Sequence, residues 1–259
     1  MAPSKRSPLK DKPLRNPGQS IDEQRFDLVY DKLFTPFLLA LFISILAALE
    51  WLRYFHPVEP APKTVSVMAL ISIAYFAFRL RRVLPQVRQL RLASEGERAV
   101  GQYLERLREK GHQVFHDVIG DGFNVDHVVI GPAGVFTVET KTRSKPARGN
   151  SKISFDGQRI LVAGREPDRD PVVQGKAQAS WLRGLLDEST GRQFNVRPVI
   201  VFPGWFIDQQ PGASKELWVL EPKALPAFLS NEHAVLSPED VKLASYHLSR
   251  FVRGNEQRK

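Results

Sequence analysis

Asp126, Glu139 and Lys141 are the residues whose types and spacing could do chemistry together. They sit on two short runs rich in β-branched residues, 124–130 (NVDHVVI) and 135–142 (VFTVETKT). Between the runs, Gly131-Pro132-Ala133-Gly134 reads as a tight turn. An even-length turn makes Ile130 face Val135, and Asp126 then lies opposite Glu139. Opposed residues in an antiparallel pair have Cβ atoms about 4.5–5.5 Å apart, where like charges repel. Lys141 follows Glu139 at the strand period, so its side chain leaves the same face. Two carboxylates forced together want a divalent cation. Oxygen ligands without cysteine or clustered histidine favour Mg²⁺ or Mn²⁺ over zinc. Such an ion polarises a phosphoryl oxygen and acidifies bound water, and an adjacent lysine stabilises the developing charge. The chemistry is phosphodiester hydrolysis. The same residues also permit a plain ion pair of Asp126 with Lys141 on a solvated face. A one-residue bulge in the turn would turn Glu139 to the opposite side.

Three further features gather around this hairpin. Glu97 shares a helical face with Val100, Gly101 and Leu104; it either turns inward as another carboxylate or completes a capping box with Ser94. Gln174 shares a face with Gln178, Trp181 and Leu185, and is either a phosphate or base contact or a surface amide. Arg143, Lys145, Arg148 and Lys152 form a basic run without an acid, which either holds phosphates of a nucleic acid or is a solvated loop. No histidine spacing suits a metal, and His127 is expected to pack away from Asp126. No phosphate-binding glycine loop or nucleophile elbow is present.

Elements must place these residues. Ser94 to Gly111 predicts a helix, followed by strands at 112–119, 124–130 and 135–142. A hairpin around Asp156-Gly157 follows, then a helix from Asp170-Pro171 to about Leu186. Strands at 197–202 and 216–220 and a helix from Ser237 to about Val252 close the chain. That order predicts an α/β fold with a mixed sheet flanked by helices.

The chain has 259 residues, 37 Lys+Arg against 28 Asp+Glu, and no cysteine, which excludes disulfides, Cys-ligated zinc, iron–sulfur clusters and a cysteine nucleophile. The basic excess is concentrated at the N-terminal end: residues 1–91 hold 14 basic and 7 acidic residues. There, residues 33–49 are uncharged for 17 positions and residues 64–78 for 15, and Trp51, Tyr54 and Phe55 suit an aromatic belt. We expect a transmembrane helical hairpin over 33–84 that contacts the lipid bilayer, preceded by a basic disordered tail over 1–32. Basic flanks put both termini and the main domain on the cytoplasmic side of a bacterial-type inner membrane, as a multi-pass protein.

The strings Gly96-Glu97-Arg98-Ala99-Val100-Gly101, Asn124 through Phe136 (NVDHVVIGPAGVF) and Val138-Glu139-Thr140-Lys141 resemble the nuclease-related domain (NERD), a family of the PD-(D/E)xK, restriction-endonuclease-like superfamily. The resemblance covers about residues 94–205. It implies a restriction-endonuclease-like mixed sheet in a domain over 92–205, with 206–259 packing on it as an extension. It also implies a Mg²⁺-dependent nuclease. Asp126 and Glu139 would be metal ligands, Lys141 the catalytic lysine, Glu97 the helix acid and Gln174 the glutamine of the following helix. Val125 stands where the superfamily name expects proline. DNA is the expected substrate; a non-catalytic, membrane-tethered nucleic-acid-binding module or scaffold is the alternative.

Overall fold

The computed structural model describes residues 14–56, 61–145, 152–209, 213 and 216–256. The expectations for residues 1–13, for the connection at 57–60 and for Arg148 lie outside the described residues. The chain divides into two units, Ser20–Leu92 on the one hand and Met1–Gln19 with Ala93–Lys259 on the other.

In the first unit, helix α1 (Gln19–Val29) passes through a π-helical turn, Tyr30–Phe34, into α2 (Thr35–Phe55). This continuous stretch of 37 residues reaches a mean hydropathy of 2.2, and among the described residues it alone is long and apolar enough to cross a membrane. Residues 19–32 are thus helical, where a disordered tail was expected. Elongating an existing helix costs little once the apolar run has nucleated it. Phe26, Tyr30 and Phe34 also stack at one-turn spacing, with centroids 6.0 and 5.3 Å apart.

Helix α3 (Pro62–Glu105) packs back on α2, with the Phe37 and Phe76 rings 5.7 Å apart and Trp51 Nε1 donating to Ser66 Oγ at 3.2 Å. The expected hairpin is therefore a hairpin of helices with one candidate span. The second apolar run continues within α3 into Arg79, Arg81 and Arg82. Helix α3 also runs unbroken through Ser94, so the Ser94–Glu97 pair caps nothing. Ser94 and Glu97 are both buried in the helix interior.

The second unit is a three-layer α/β body. Strands β1 (Gln113–Ile119), β2 (Asn124–Gly131) and β3 (Gly134–Thr140) form an antiparallel meander. Helix α4 (Pro171–Thr190) then crosses over to β6 (Val196–Val201), which lies parallel to β3; β8 (Trp218–Leu220) lies parallel to β6. A parallel neighbour needs such a crossover, and α4 supplies it. The N-cap of α4 is Asp170, whose side chain accepts from the Val172 N–H at 2.8 Å, with Pro171 at the first helical position. The result is a mixed sheet of order β1-β2-β3-β6-β8.

One face of this sheet buries Val128, Ile130 and Val135 under Leu182 and Leu186 of α4 and Ala244 and Leu248 of α6 (Pro238–Glu256). The other buries Val129, Phe136 and Val138 under Val100 and Leu104 of α3 and Leu225 and Leu229 of α5 (Leu225–Asn231). Both faces being covered explains why β2 and β3 read as nearly continuous apolar runs. A second, small sheet has the order β5-β4-β7, with β4 at Lys152–Phe155, β5 at Ile160–Val162 and β7 at Phe206–Gln209. The short elements β7 and α5 carry no signal noted in the sequence.

Gly96 sets how closely α3 approaches the sheet. A Cβ built there would lie 1.7 Å from Thr142 Oγ1 and 2.8 Å from Thr142 Cβ. At an exposed helical site Gly→Ala gains about 1 kcal/mol. Here we predict the opposite sign: Gly96→Ala lowers unfolding stability by about 1–3 kcal/mol, because α3 must be pushed away from Thr142, just beyond β3. Denaturant titration checks this, and a stabilised variant would contradict it.

Candidate functional site

The site is built at the β2–β3 ladder. The register runs Ile130↔Val135, Val129↔Phe136, Val128↔Thr137 and His127↔Val138, so the turn has even length and the next step sets Asp126 across from Glu139. Asp126 is buried, and its Oδ2 accepts from the Thr140 backbone N–H at 2.7 Å. Burial first, then the nearby Glu139 and Glu97, hold its carboxyl well above the usual range, against the Thr140 N–H and Lys141. Lys141 does leave the face of Glu139: its Nζ donates to Glu139 Oε1 at 2.6 Å.

Helix α4 completes this part. Gln174 accepts from Lys141 Nζ at 2.7 Å and donates from Nε2 to Glu139 Oε1 at 2.7 Å. Gln178, one turn further on, donates to Glu139 Oε2 at 2.6 Å and to the Asn124 carbonyl at 3.0 Å. Gln178 is a member of the site that the sequence reading passed over. Its signal was the i, i+4 spacing from Gln174 on one helix face.

Helix α3 brings Glu97 from the far layer. It is 3% exposed, and its Oε2 is buried with no hydrogen-bond partner. Burial, then Asp117 and Glu139, push its carboxyl up to about 8, while the Gly18 backbone N–H and Lys141 pull the other way. Asp117 is the second residue the sequence reading missed. It stands between the His116↔His127 and Val118↔Val125 pairs, and so across the β1–β2 ladder from Asp126. Its φ of +50° is a left-handed conformation inside a strand, which Asp tolerates at a cost of about 1 kcal/mol or more. Asp117 is fully buried and ion-paired to Arg15 Nε at 2.7 Å. An acid followed by Val118 and Ile119 inside a strand was the available signal.

His127 packs as expected. It is fully buried beside His116, with Nδ1 atoms 2.9 Å apart, and burial followed by His116 keeps its pKa well below the histidine range. The basic run is not drawn into this cluster. Arg143 is exposed, and its carbonyl accepts from Trp205 Nε1 at 3.1 Å. Lys145 Nζ lies 5.9 Å from the Trp205 ring. Lys152 begins β4 and is ion-paired to Asp208 at 2.6 Å, a diagonal contact to the residue two positions beyond its register partner Phe206 on β7. A separate groove of about 540 Å³ on α4 and β6 is lined by Lys176, Arg183, Arg197 and Glu216.

Does this donor set suit a divalent ion? The donors are hard oxygens, and Glu97 Oε2 lacks a protein partner in a buried place. Among the described residues no group of three or more His, Asp or Glu forms a ready cage. Donors of this chemical type are those Mg²⁺ takes, since that ion keeps several waters and needs only one or two carboxylates together with substrate phosphates.

Residues 92–203 match the family model of the nuclease-related domain. The chain carries a nuclease-related domain. A curated relative, an uncharacterized protein of Bacillus anthracis, is 30% identical over 98 residues. The match takes in 36% of this chain and 46% of that protein, so the chain spans about half the length of the curated relative. A crystal structure of a Vibrio cholerae protein aligns over 93% of this chain and 58% of that one at 13% identity, with a TM-score of 0.24. The nuclease-related match contains every residue of the acid cluster except Arg15 and Gly18, which belong to the segment before α1.

Glu97 yields a pH signature. Its native carboxyl keeps a proton up to about pH 8, while the unfolded chain loses it near the ordinary 4.5. The native state therefore binds more protons between these values, and stability falls as pH rises through that window. Glu97→Gln removes this loss. Its stability relative to wild type should grow between about pH 5 and pH 8.5, by up to about 4 kcal/mol at 1.36 kcal/mol per unit. Denaturant unfolding of the full chain in detergent at both pH values reads it, and a pH-independent difference would contradict it.

Proposed function

We propose that the chain is a membrane-anchored, nuclease-like protein hydrolysing nucleic-acid phosphodiester bonds, DNA in the first instance, with Mg²⁺ or Mn²⁺. The observation that carries this reading is Lys141 bridging Glu139 and Gln174 beside the buried Asp126 and Glu97. Strongly perturbed buried acids gathered beside a lysine are the pattern of a functional site, and here Glu97 and Asp126 crowd Glu139 next to Lys141.

Asp126 and Glu139 would hold the ion, with Glu97 as a further oxygen donor. The bound ion would polarise the phosphoryl group and acidify a water. The protein's own part follows from its hydrogen bonds. Lys141 spends two of its three N–H donors on Glu139 and Gln174, and the third can meet a non-bridging phosphoryl oxygen as charge builds there. Gln174 ties lysine and acid into one unit, which limits the reorganisation needed at the moment of reaction. Arg143 and Lys145, exposed just beyond Lys141, are placed to contact phosphates along the substrate, and Arg148 and Lys152 of the same run would extend that track.

The anchor in this reading is the stretch Gln19–Phe55, with α3 returning through residues 64–84. Both termini and the nuclease-related domain would lie on the cytoplasmic side of an inner membrane, which the basic flanks support. One observation favours a second reading, a tethered nucleic-acid-binding module or scaffold without catalysis. Both oxygens of Glu139 are satisfied by protein donors, as in a purely structural network.

Cleavage decides between them. The full chain in detergent is expected to cut DNA with Mg²⁺, and Asp126→Asn and Lys141→Ala should each lose about 10²-fold or more in rate. Salt-dependent DNA binding without cleavage under Mg²⁺ or Mn²⁺, unchanged in both variants, would select the module.

A further inference from the structure

Residues 14–19 precede the apolar helices in sequence yet belong to the same compact unit as the nuclease-related domain. Their placement is built in. Arg15 is 5% exposed and ion-paired to the fully buried Asp117. Pro17 fills the space over Gly101, where a Cβ would meet its ring carbons at 2.8 and 2.9 Å. Gly18 adopts φ +73° against Ser94, and its N–H reaches the Glu97 carboxyl. The segment thus touches two of the four clustered acids, Asp117 and Glu97.

Charge explains what it does there. Asp117 and Glu139 act on Glu97, and Glu139 and Glu97 act on Asp126; among the described residues Arg15 is in a direct ion pair with Asp117 and Lys141 with Glu139. In a low-dielectric site a guanidinium this close opposes the arrival of any second cation. A buried Arg–carboxylate pair is also weak evidence of stability for its own sake, since burial costs both charges their hydration.

We propose that Arg15 is an internal counter-cation of the acid cluster, so that the strap of residues 14–19 and a divalent cation compete for the same negative charge. Arg15 is a positioning residue acting through Asp117; it need not touch substrate. The inference rests on the metal-site reading above. It adds that the segment next to the membrane-directed helix controls how readily the site loads.

The test is a Mn²⁺ titration of the full chain in detergent, with free Mn²⁺ read by electron paramagnetic resonance and folding by circular dichroism. Arg15→Gln should bind Mn²⁺ about tenfold or more tightly than wild type. Arg15→Lys, which keeps the charge, should stay near wild type. The double variant Arg15→Gln with Asp117→Asn should return towards it, because the charge that was released is gone. A folded Arg15→Gln whose Mn²⁺ affinity is unchanged, weaker or nil overturns the proposal. A double variant as tight as Arg15→Gln alone also overturns it. If Arg15→Gln does not fold, Asp117→Asn decides: it takes a negative charge out of the cluster while Arg15 keeps its positive one, so Mn²⁺ binding should weaken, while unchanged binding overturns the proposal. The expected affinity pattern without DNA cleavage would count against the hydrolase reading and leave this inference standing.

Discussion

Everything in the C-terminal unit is arranged around carboxylates that repel one another in a place with little water. One step beyond the last paired residues of the β2–β3 ladder Asp126 comes opposite Glu139; Glu97 is close enough to act on Asp126, and Asp117 and Glu139 are close enough to act on Glu97. A pair of like charges directly opposed in a sheet is unfavourable even at a surface, and burial enlarges the penalty. The fold tolerates it because each acid is handled differently. Glu139 accepts from a lysine and two glutamines, Asp117 from an arginine and an asparagine, and Asp126 from a backbone N–H. Glu97 is held by raising its proton affinity. Such expense is characteristic of places where stability is given up for chemistry.

The two sheet faces divide the labour. The α4 face provides neutral amides aimed at Glu139, and the α3 face provides the acid with an unpartnered oxygen. Each helix reaches the strands through small residues: Gly96 against Thr142 on α3, and Gly175 on α4, where an added Cβ would make ordinary contact with Pro198 and Ile200. Rigid packing on both sides fixes the polar side chains from behind, since Leu182, Val138 and Val199 are fully buried next to them.

What was legible in the sequence was whatever depended on local period. The β2–β3 register followed from strand alternation and a two-residue turn, and the layer order followed from the succession of elements. The Glu139–Lys141 contact followed from spacing alone. What was illegible depended on partners far away in the chain. The capping box at Ser94 is locally sound, but a helix already running from Pro62 has no need of a start there. Asp117 was hidden because its left-handed backbone breaks strand alternation at that residue, and only Arg15 shows why an acid is kept there. Strand β7 is four residues with no buried member, and it exists because β4 offers it an edge. The second apolar run reads as a span in isolation, yet it belongs to a helix that carries on past three arginines.

The Arg15–Asp117 pair joins residues 102 positions apart, with the whole Ser20–Leu92 unit between them. The C-terminal body is therefore discontinuous along the chain, and the hydrophobic hairpin is an insertion within it. During synthesis the strap leaves the ribosome first and has nothing to dock on until β1 and the end of α3 have followed. Final closure of the body is thus a late, non-local event that must wait for the insertion to find its own environment. For the same reason a recombinant fragment cut at the family boundary, residue 92, is missing a piece of its own interior. It retains the acid at position 117 and discards the guanidinium that lets that acid be buried.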